Sequence, residues 1–324
     1  MWRKLSVGLM AATLLVSGVA ISPKTADALT VSPLVLEYDL APGKAAAGTI
    51  TLRNEGSEPE TYYSMVKDFV AGDEAGSPSF VEKSSARSLV DWVGFSPKMI
   101  TLGPGESAPI VFNLTVPKTA APGGYYGGLL FSTSAPTDTK GVGAVGATGP
   151  LLLVRVSGNV IEKGTISHFT ASPDSSTSLP ITFNVRFENT GTTHLKPSGV
   201  IRVRNMFGGV AAVIPVNQDG RNVLPSSARQ FQLNWQKALS EPKSELAREI
   251  KNFGFGPYTA DLVLTYGETG QVTTASTTFW VMPWMLVFVF LLALVVLAIL
   301  IAQYNKWIIA NAMKNQGGSA GRRK

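Results

Sequence analysis

Apolar and polar positions alternate with a period of two in short runs along the chain, at residues 29–37, 49–53, 62–69, 110–116 and 123–131. Each run is rich in β-branched or aromatic residues and is bounded by Gly, Pro, Asn or Ser, the punctuation of strands and turns. Such spacing predicts antiparallel sandwiches of the immunoglobulin-like type. Pro33, near the start, suits an edge or a bulge. The second half repeats the pattern. Residues 181–191 echo 50–56, a strand closed by Asn and Gly; 227–235 echo 107–115; 256–264 echo 124–131. Three echoes in one order, offset by roughly 120 to 130 residues, predict a duplicated fold. Residues 137–150, rich in Gly, Ala and Thr, read as a loop before a strand at 151–157. Residues 238–252 have helical composition after Pro242.

Two further apolar stretches lack the alternation. Residues 5–21 follow Arg3 and Lys4 and precede Ala26-Asp27-Ala28, the layout of a signal peptide cleaved after Ala28. Residues 281–302 carry no charge and are apolar on every face. About 20 such residues span a hydrocarbon core. Trp280, Trp284, Tyr304 and Trp307 flank the stretch as interfacial anchors. Lys306, Lys314, Arg322, Arg323 and Lys324 follow with no acid among them, which predicts a cytoplasmic C-terminus. The expected protein is all-β: two tandem immunoglobulin-like β-sandwiches followed by one C-terminal transmembrane α-helix. Its expected parts are a signal peptide (1–28), a first domain (29–160), a second domain (161–280), the helix (281–303) and a basic cytoplasmic tail (304–324). Its expected place is the plasma membrane of a bacterium, with a single pass, the N-terminus outside and membrane lipid as one partner.

The net charge of +6 does not predict nucleic-acid binding. Arg3, Lys4 and Lys24 against Asp27 leave +2 before residue 29, and the five basic residues after the helix give +5. The remainder is therefore −1, with no basic footprint for nucleic acid. With no cysteine, the outer part depends on its cores, without disulfides or thiolate chemistry. Gly141, Gly143 and Gly146 match a dinucleotide fingerprint by letter, but no strand–helix unit surrounds them. The two histidines, His168 and His194, are not spaced as metal ligands and read as exposed loop residues. Glu37 and Asp39 share one strand face and read as solvated edge residues. No catalytic residue, metal site or cofactor is expected. The candidate binding surface consists of Tyr62, Tyr63, Tyr125, Tyr126, Gly127 and Gly128. One ring of each tyrosine pair should point outward, and the glycines allow a bulge or the close approach of another chain.

Residues 29–33 and 40–43, the run 48–54, Phe95 to Glu106 with its Pro-Gly turn, and 116–131 with its Gly-rich strand together resemble the peptidoglycan-binding domain of WxL-interacting proteins. That is a group of Gram-positive surface proteins with an immunoglobulin-like sandwich. The same blocks, about 100 residues, also resemble pilus-chaperone domains. The second domain, signal peptide, membrane helix and basic tail match the WxL-interacting layout. The resemblance implies a membrane-anchored cell-envelope binding protein that attaches to peptidoglycan or to another surface protein. The alternative is a membrane-tethered chaperone or assembly factor for secreted envelope subunits, acting by strand addition at an open sheet edge.

Overall fold

The structure, a computed structural model, describes residues 29–83, 87–135, 146–237 and 244–317. The expected signal peptide, Gly141 and Gly143 lie outside them, as do residues 318–324 of the expected tail.

The first domain is built from β1 (Leu29–Ser32), β2 (Val35–Leu40), β3 (Ala45–Asn54), β4 (Glu60–Ala71), β5 (Pro78–Val81), β6 (Val93–Ser96), β7 (Met99–Leu102), β8 (Ser107–Thr115), β9 (Gly123–Ser132) and β10 (Leu151–Val156). One sheet runs β1-β3-β8-β6; the other runs β2-β10-β9-β4-β5, with β7 also on β4. The chain changes sheets at Pro33, between β1 and β2.

The second domain contains β11 (Gly164–Ser172), β12 (Ser175–Ser176), β13 (Ile181–Asn189), β14 (Ser198–Asn205), β15 (Val210–Val216), β16 (Ser227–Trp235), β17 (Gly256–Tyr266) and β18 (Gln271–Val281). Its sheets run β11-β13-β16 and β12-β18-β17-β14-β15. With β6 and β7 set aside, the two orders correspond strand for strand. In both domains a short strand, β2 or β12, pairs in parallel with the last strand, β10 or β18. The three echoes in the sequence are the pairs β3/β13, β8/β16 and β9/β17. The second domain has no counterpart of β6 among the described residues.

The alternation decides which side chains are buried. In β13, Ile181, Phe183, Val185 and Phe187 are fully buried while Thr182, Asn184, Arg186 and Glu188 face away. Each fully buried large apolar side chain contributes about 1.5–3 kcal/mol. The two domains enclose separate cores, one around Phe112, Leu114, Leu129 and Val154, the other around Phe183, Phe187, Leu262 and Phe279.

The duplication extends to single hydrogen bonds. Asn54 ends β3, and its Nδ2 donates to Glu58 O (2.8 Å) and Leu102 O (3.1 Å) while Oδ1 accepts from Gly56 N (2.8 Å). Asn189 ends β13, and its Nδ2 donates to Thr193 O and Val223 O (2.8 Å each) while Oδ1 accepts from Gly191 N (2.9 Å). Both amides are buried. The glycine after Asn189 is needed because a Cβ there would lie 2.4 Å from Ile161 O.

Between β16 and β17 lies the short helix α1 (Glu245–Lys251), in the stretch whose composition predicts one. Ser244 caps it by accepting from Ala247 N. After β18, the two residues Met282 and Pro283 lead into α2 (Trp284–Gly317). Residues Trp284–Asn311 of α2 are long and apolar enough to cross a membrane. The helix continues past residue 303 into the stretch expected as tail.

Candidate functional site

The two domains meet along a polar and aromatic seam with two points of attachment. The first is the segment following β13. Alternate residues of this extended segment face opposite ways. Thr193 and Leu195 point into the second domain and are buried. Thr192, His194 and Lys196 point at the first domain: Thr192 O accepts from Gly124 N (2.8 Å), His194 Nδ1 meets Tyr126 Oη (3.3 Å), and Lys196 pairs with Glu37. Asn222 Nδ2 also donates to Glu37 (2.8 Å). Burial works against the Glu37 carboxylate, but the hydrogen bonds from Lys196 and Asn222 outweigh it and hold its pKa below the usual value.

The second point is the turn between β4 and β5. Asp73 accepts from Gly76 N and Ser77 N, which shapes the turn. Glu74 then reaches Arg186 Nη2 at 2.8 Å, and its carbonyl accepts from Gln230 N on the open edge of β16. The Ala75 carbonyl accepts from Arg229 Nη2 (2.9 Å). The linker adds a third group, Arg155 with Glu162 (2.9 Å) and Glu268 (2.8 Å). Among the described residues no group of three or more His, Asp or Glu side chains is placed to hold a metal ion.

Between the two attachments lies a cleft of about 400 Å³. Val35, Leu151 and Leu153 form one wall, Phe69 and Val70 another, and Asn222 and Arg229 close it on the side of the second domain. Two polar atoms here are buried without a hydrogen-bond partner among the described residues, Arg229 Nε and Asn222 Oδ1. One is a donor and the other an acceptor. Burial also lowers the pKa of the Arg229 guanidinium, with nearby Arg221 acting the same way.

One border of the cleft is the outer edge of β2. Leu34 and Leu40 turn their carbonyls to β10, accepting from Leu151 N and Ser157 N. By alternation Val35, Glu37 and Asp39 turn their N–H and C=O groups away from β10. Among the described residues no other strand pairs with β2. Leu34 and Val35 are exposed at its start.

The structure places the tyrosines and glycines as follows. The alternation holds: Tyr62 and Tyr125 point into the core, and Tyr63 and Tyr126 point to the opposite face. Tyr62 is 2% exposed, and Tyr125 packs on Trp92 with ring centroids 4.3 Å apart. The outer face at Tyr126 is not open, because the second domain covers it. Tyr126 lies edge-on to Phe69 (5.9 Å) and His194 (5.7 Å). Tyr63 is half-buried. Gly127 and Gly128 make no bulge, since β4 and β9 pair in unbroken register. They give room instead: a Cβ at 127 would lie 3.2 Å from Leu89, and one at 128 would lie 2.4 Å from Phe80. His194 is not an exposed loop residue, because the seam buries it. His168 is exposed as expected, but it stands on β11, beside a register shift. Glu37 is a seam residue rather than a free edge carboxylate. Its partners lie at least 150 residues away in the chain, as do those of Ala75, so no local pattern announces them.

Burial holds the His194 imidazole neutral, with its pKa lowered from 6.5 to about 4. Glu37 and Asp39 oppose this shift, and Lys196 and Arg155 support it. Burial also raises the pKa of the Tyr126 phenol, which keeps its proton beside Nδ1. The unfolded chain binds a proton at His194 below about pH 6.5, whereas the folded chain resists it down to about pH 4. Stability from this site is therefore complete above pH 6.5 and falls as pH drops towards 4. The expected loss is about 3 kcal/mol at most. The check is urea denaturation at several pH values, in which His194→Gln has a shallower acid decline than the unaltered protein.

No family model and no curated protein matches the chain. Among solved structures, the class 5 fimbriae chaperone CfaA is 11% identical, with 77% of this chain and 99% of that one covered and a TM-score of 0.38. The E. coli chaperone DraB is 12% identical, covering 78% and 95%, with a TM-score of 0.33. A PapD-like domain of human CEP192 is 14% identical, covering 46% and 98%, with a TM-score of 0.27. At these scores the assignment to two immunoglobulin-like sandwiches rests on the strand orders themselves.

Proposed function

We propose that this protein is a membrane-tethered assembly factor of the cell envelope, whose two-domain head takes an extended segment of another secreted polypeptide against β2. The observation that carries this reading is the open edge of β2 beside the interdomain cleft. Main-chain groups of Val35, Glu37 and Asp39 face outward there, and strand addition at such an edge needs no catalytic group. The cleft also suits a peptide because Val35, Leu151, Leu153, Phe69 and Val70 line part of it with apolar surface. The negative charge of the edge is offset, since Glu37 is paired with Lys196 and Asp39 lies 3.7 Å from Arg155. Apolar α2 supplies the tether. The resemblance of residues 29–131 to WxL-interacting proteins agrees with an envelope setting. Direct attachment to peptidoglycan has less support, because three of the four candidate tyrosine rings are in the core or the seam.

The test is photo-crosslinking in intact cells, with a photoreactive amino acid at Leu34 or, as a control, at exposed Lys98. A specific adduct with a secreted polypeptide is expected from Leu34 and not from Lys98. Val35→Pro removes one outward N–H without touching the bonds to β10, and it should reduce that adduct severalfold. Equal labelling from both positions, or an adduct indifferent to Val35→Pro, sinks strand addition at β2. Saturable pelleting of the protein with insoluble peptidoglycan, unchanged by Val35→Pro, would return wall binding to first place.

A further inference from the structure

At the end of the second domain where β18 gives way to α2, side chains that alternation would allow to be polar are large and apolar. Phe253 and Phe255 are exposed while Asn252 before them and Gly254 between them are buried, so both rings point away from the domain. Trp280 stands outward between buried Phe279 and Val281. Met206 and Phe207 form the tip of the β14–β15 hairpin, and Phe207 is 85% exposed. Register brings these elements to one end. Asn205 pairs with Tyr258, Met206 lies against Gly256, and Gly256 pairs with Val281, the last residue before the two-residue link to α2. Ile250, on α1 beside the start of α2, is also exposed.

The connection to α2 is held from a second side. Glu249 of α1 is 1% exposed, and its two carboxylate oxygens accept from Met285 N (3.1 Å) and Leu286 N (2.8 Å). These are amides of the first turn of α2, which have no partner within the helix. The carboxylate also complements the positive end of the helix dipole. With a two-residue link and this clamp, the end of the domain and the start of the helix form one unit.

We infer that this end of the second domain is a foot seated in the headgroup layer of the same membrane that α2 crosses, with Phe207, Phe253, Phe255 and Trp280 as its interfacial contacts; this rests on the reading of α2 as the tether. Aromatic side chains favour that layer, and Trp284 at the start of α2 belongs to the same belt. Arg248 and Lys251 of α1 are exposed beside the aromatic residues, and a cation there suits anionic headgroups. Continuity with the helix selects lipid as the occupant. A partner protein on this face would have to displace the membrane surface from residues adjoining the helix itself. The foot also orients the head. Strands β17 and β18, 11 residues each, lead from the foot to the Gly267–Gly270 turn, where Glu268 meets the linker. Strands of that length span on the order of 35 Å, which is the most that separates the foot from the turn at the seam.

The chain has no cysteine, so single labels can be placed at will. Phe207→Cys, Phe253→Cys, Lys98→Cys and Leu294→Cys each receive an environment-sensitive fluorophore. The full chain is reconstituted in vesicles of phosphatidylcholine and phosphatidylglycerol, with nitroxide lipid labelled at the headgroup or deep in the acyl chain. Labels at 207 and 253 should lose emission to the headgroup nitroxide and not to the deep one. The label at 98 should be unaffected, and the label at 294 should be quenched by the deep nitroxide. Deep quenching at 294 with no quenching at 207 and 253 overturns the foot and leaves the tether standing. Absence of deep quenching at 294 overturns the tether, and the foot with it.

Discussion

Replacing Asn189 by leucine is expected to lower the stability of the second domain by about 3 kcal/mol, and Asn54→Leu should do much the same to the first. Leucine fills a similar volume, so the loss is of hydrogen bonds rather than of packing. At 189 it removes the donor to Thr193 O and Val223 O and the acceptor for Gly191 N. All three main-chain groups lie in a region closed to water, where an unmade bond costs the full desolvation of the group. Urea denaturation of the purified protein in detergent checks this. The midpoint should fall, and amide exchange should quicken in the altered domain before the other one. Equal exchange in both domains would mean that the seam, and not the asparagine clamp, limits stability.

Phe183→Ala is expected to cost about 4 kcal/mol, the largest single loss predicted for this chain. The ring is fully buried, with Phe279 at 5.6 Å and Phe169 at 6.1 Å between centroids. Phe279 in turn stacks on Tyr258 at 5.5 Å and meets Trp235 at 6.0 Å. Removing Phe183 leaves a cavity lined by rigid rings that cannot collapse into it, which puts the cost in the upper range for such substitutions. Phe207→Ser is the natural control, because little of that ring packs against the domain. It should leave the denaturation midpoint unchanged while weakening the contact of the foot with lipid.

Local order was legible where a short-range rule produces it. Alternation in β13 and β17, the Asn-x-Gly closures at 54 and 189, and the helical composition around 245–251 each involve residues within a few positions of one another. The facing of the tyrosine pairs follows from the same rule, and Tyr62 and Tyr125 do point opposite to Tyr63 and Tyr126. What covers the outer face is a different matter. Tyr126 is enclosed by a segment 68 residues further along, and Glu74 meets Arg186 across 112 residues. No periodicity reports contacts of that range. Glu249 shows the same limit: its place on α1 is local, but its task as a cap for α2 exists only once two helices separated by two strands come together.

The sequence by itself determined the strand pattern, its duplication, the apolar helix and the near-neutral charge of the part between, because each depends on composition or on spacing along one segment. Only the tertiary structure decided that the two domains share a seam and that His194 sits within it. It also decided that the edge of β2 borders a cleft and that scattered aromatic residues gather beside α2. Those features depend on which distant surfaces meet, and that is set by the packing of whole sheets rather than by any stretch of the chain.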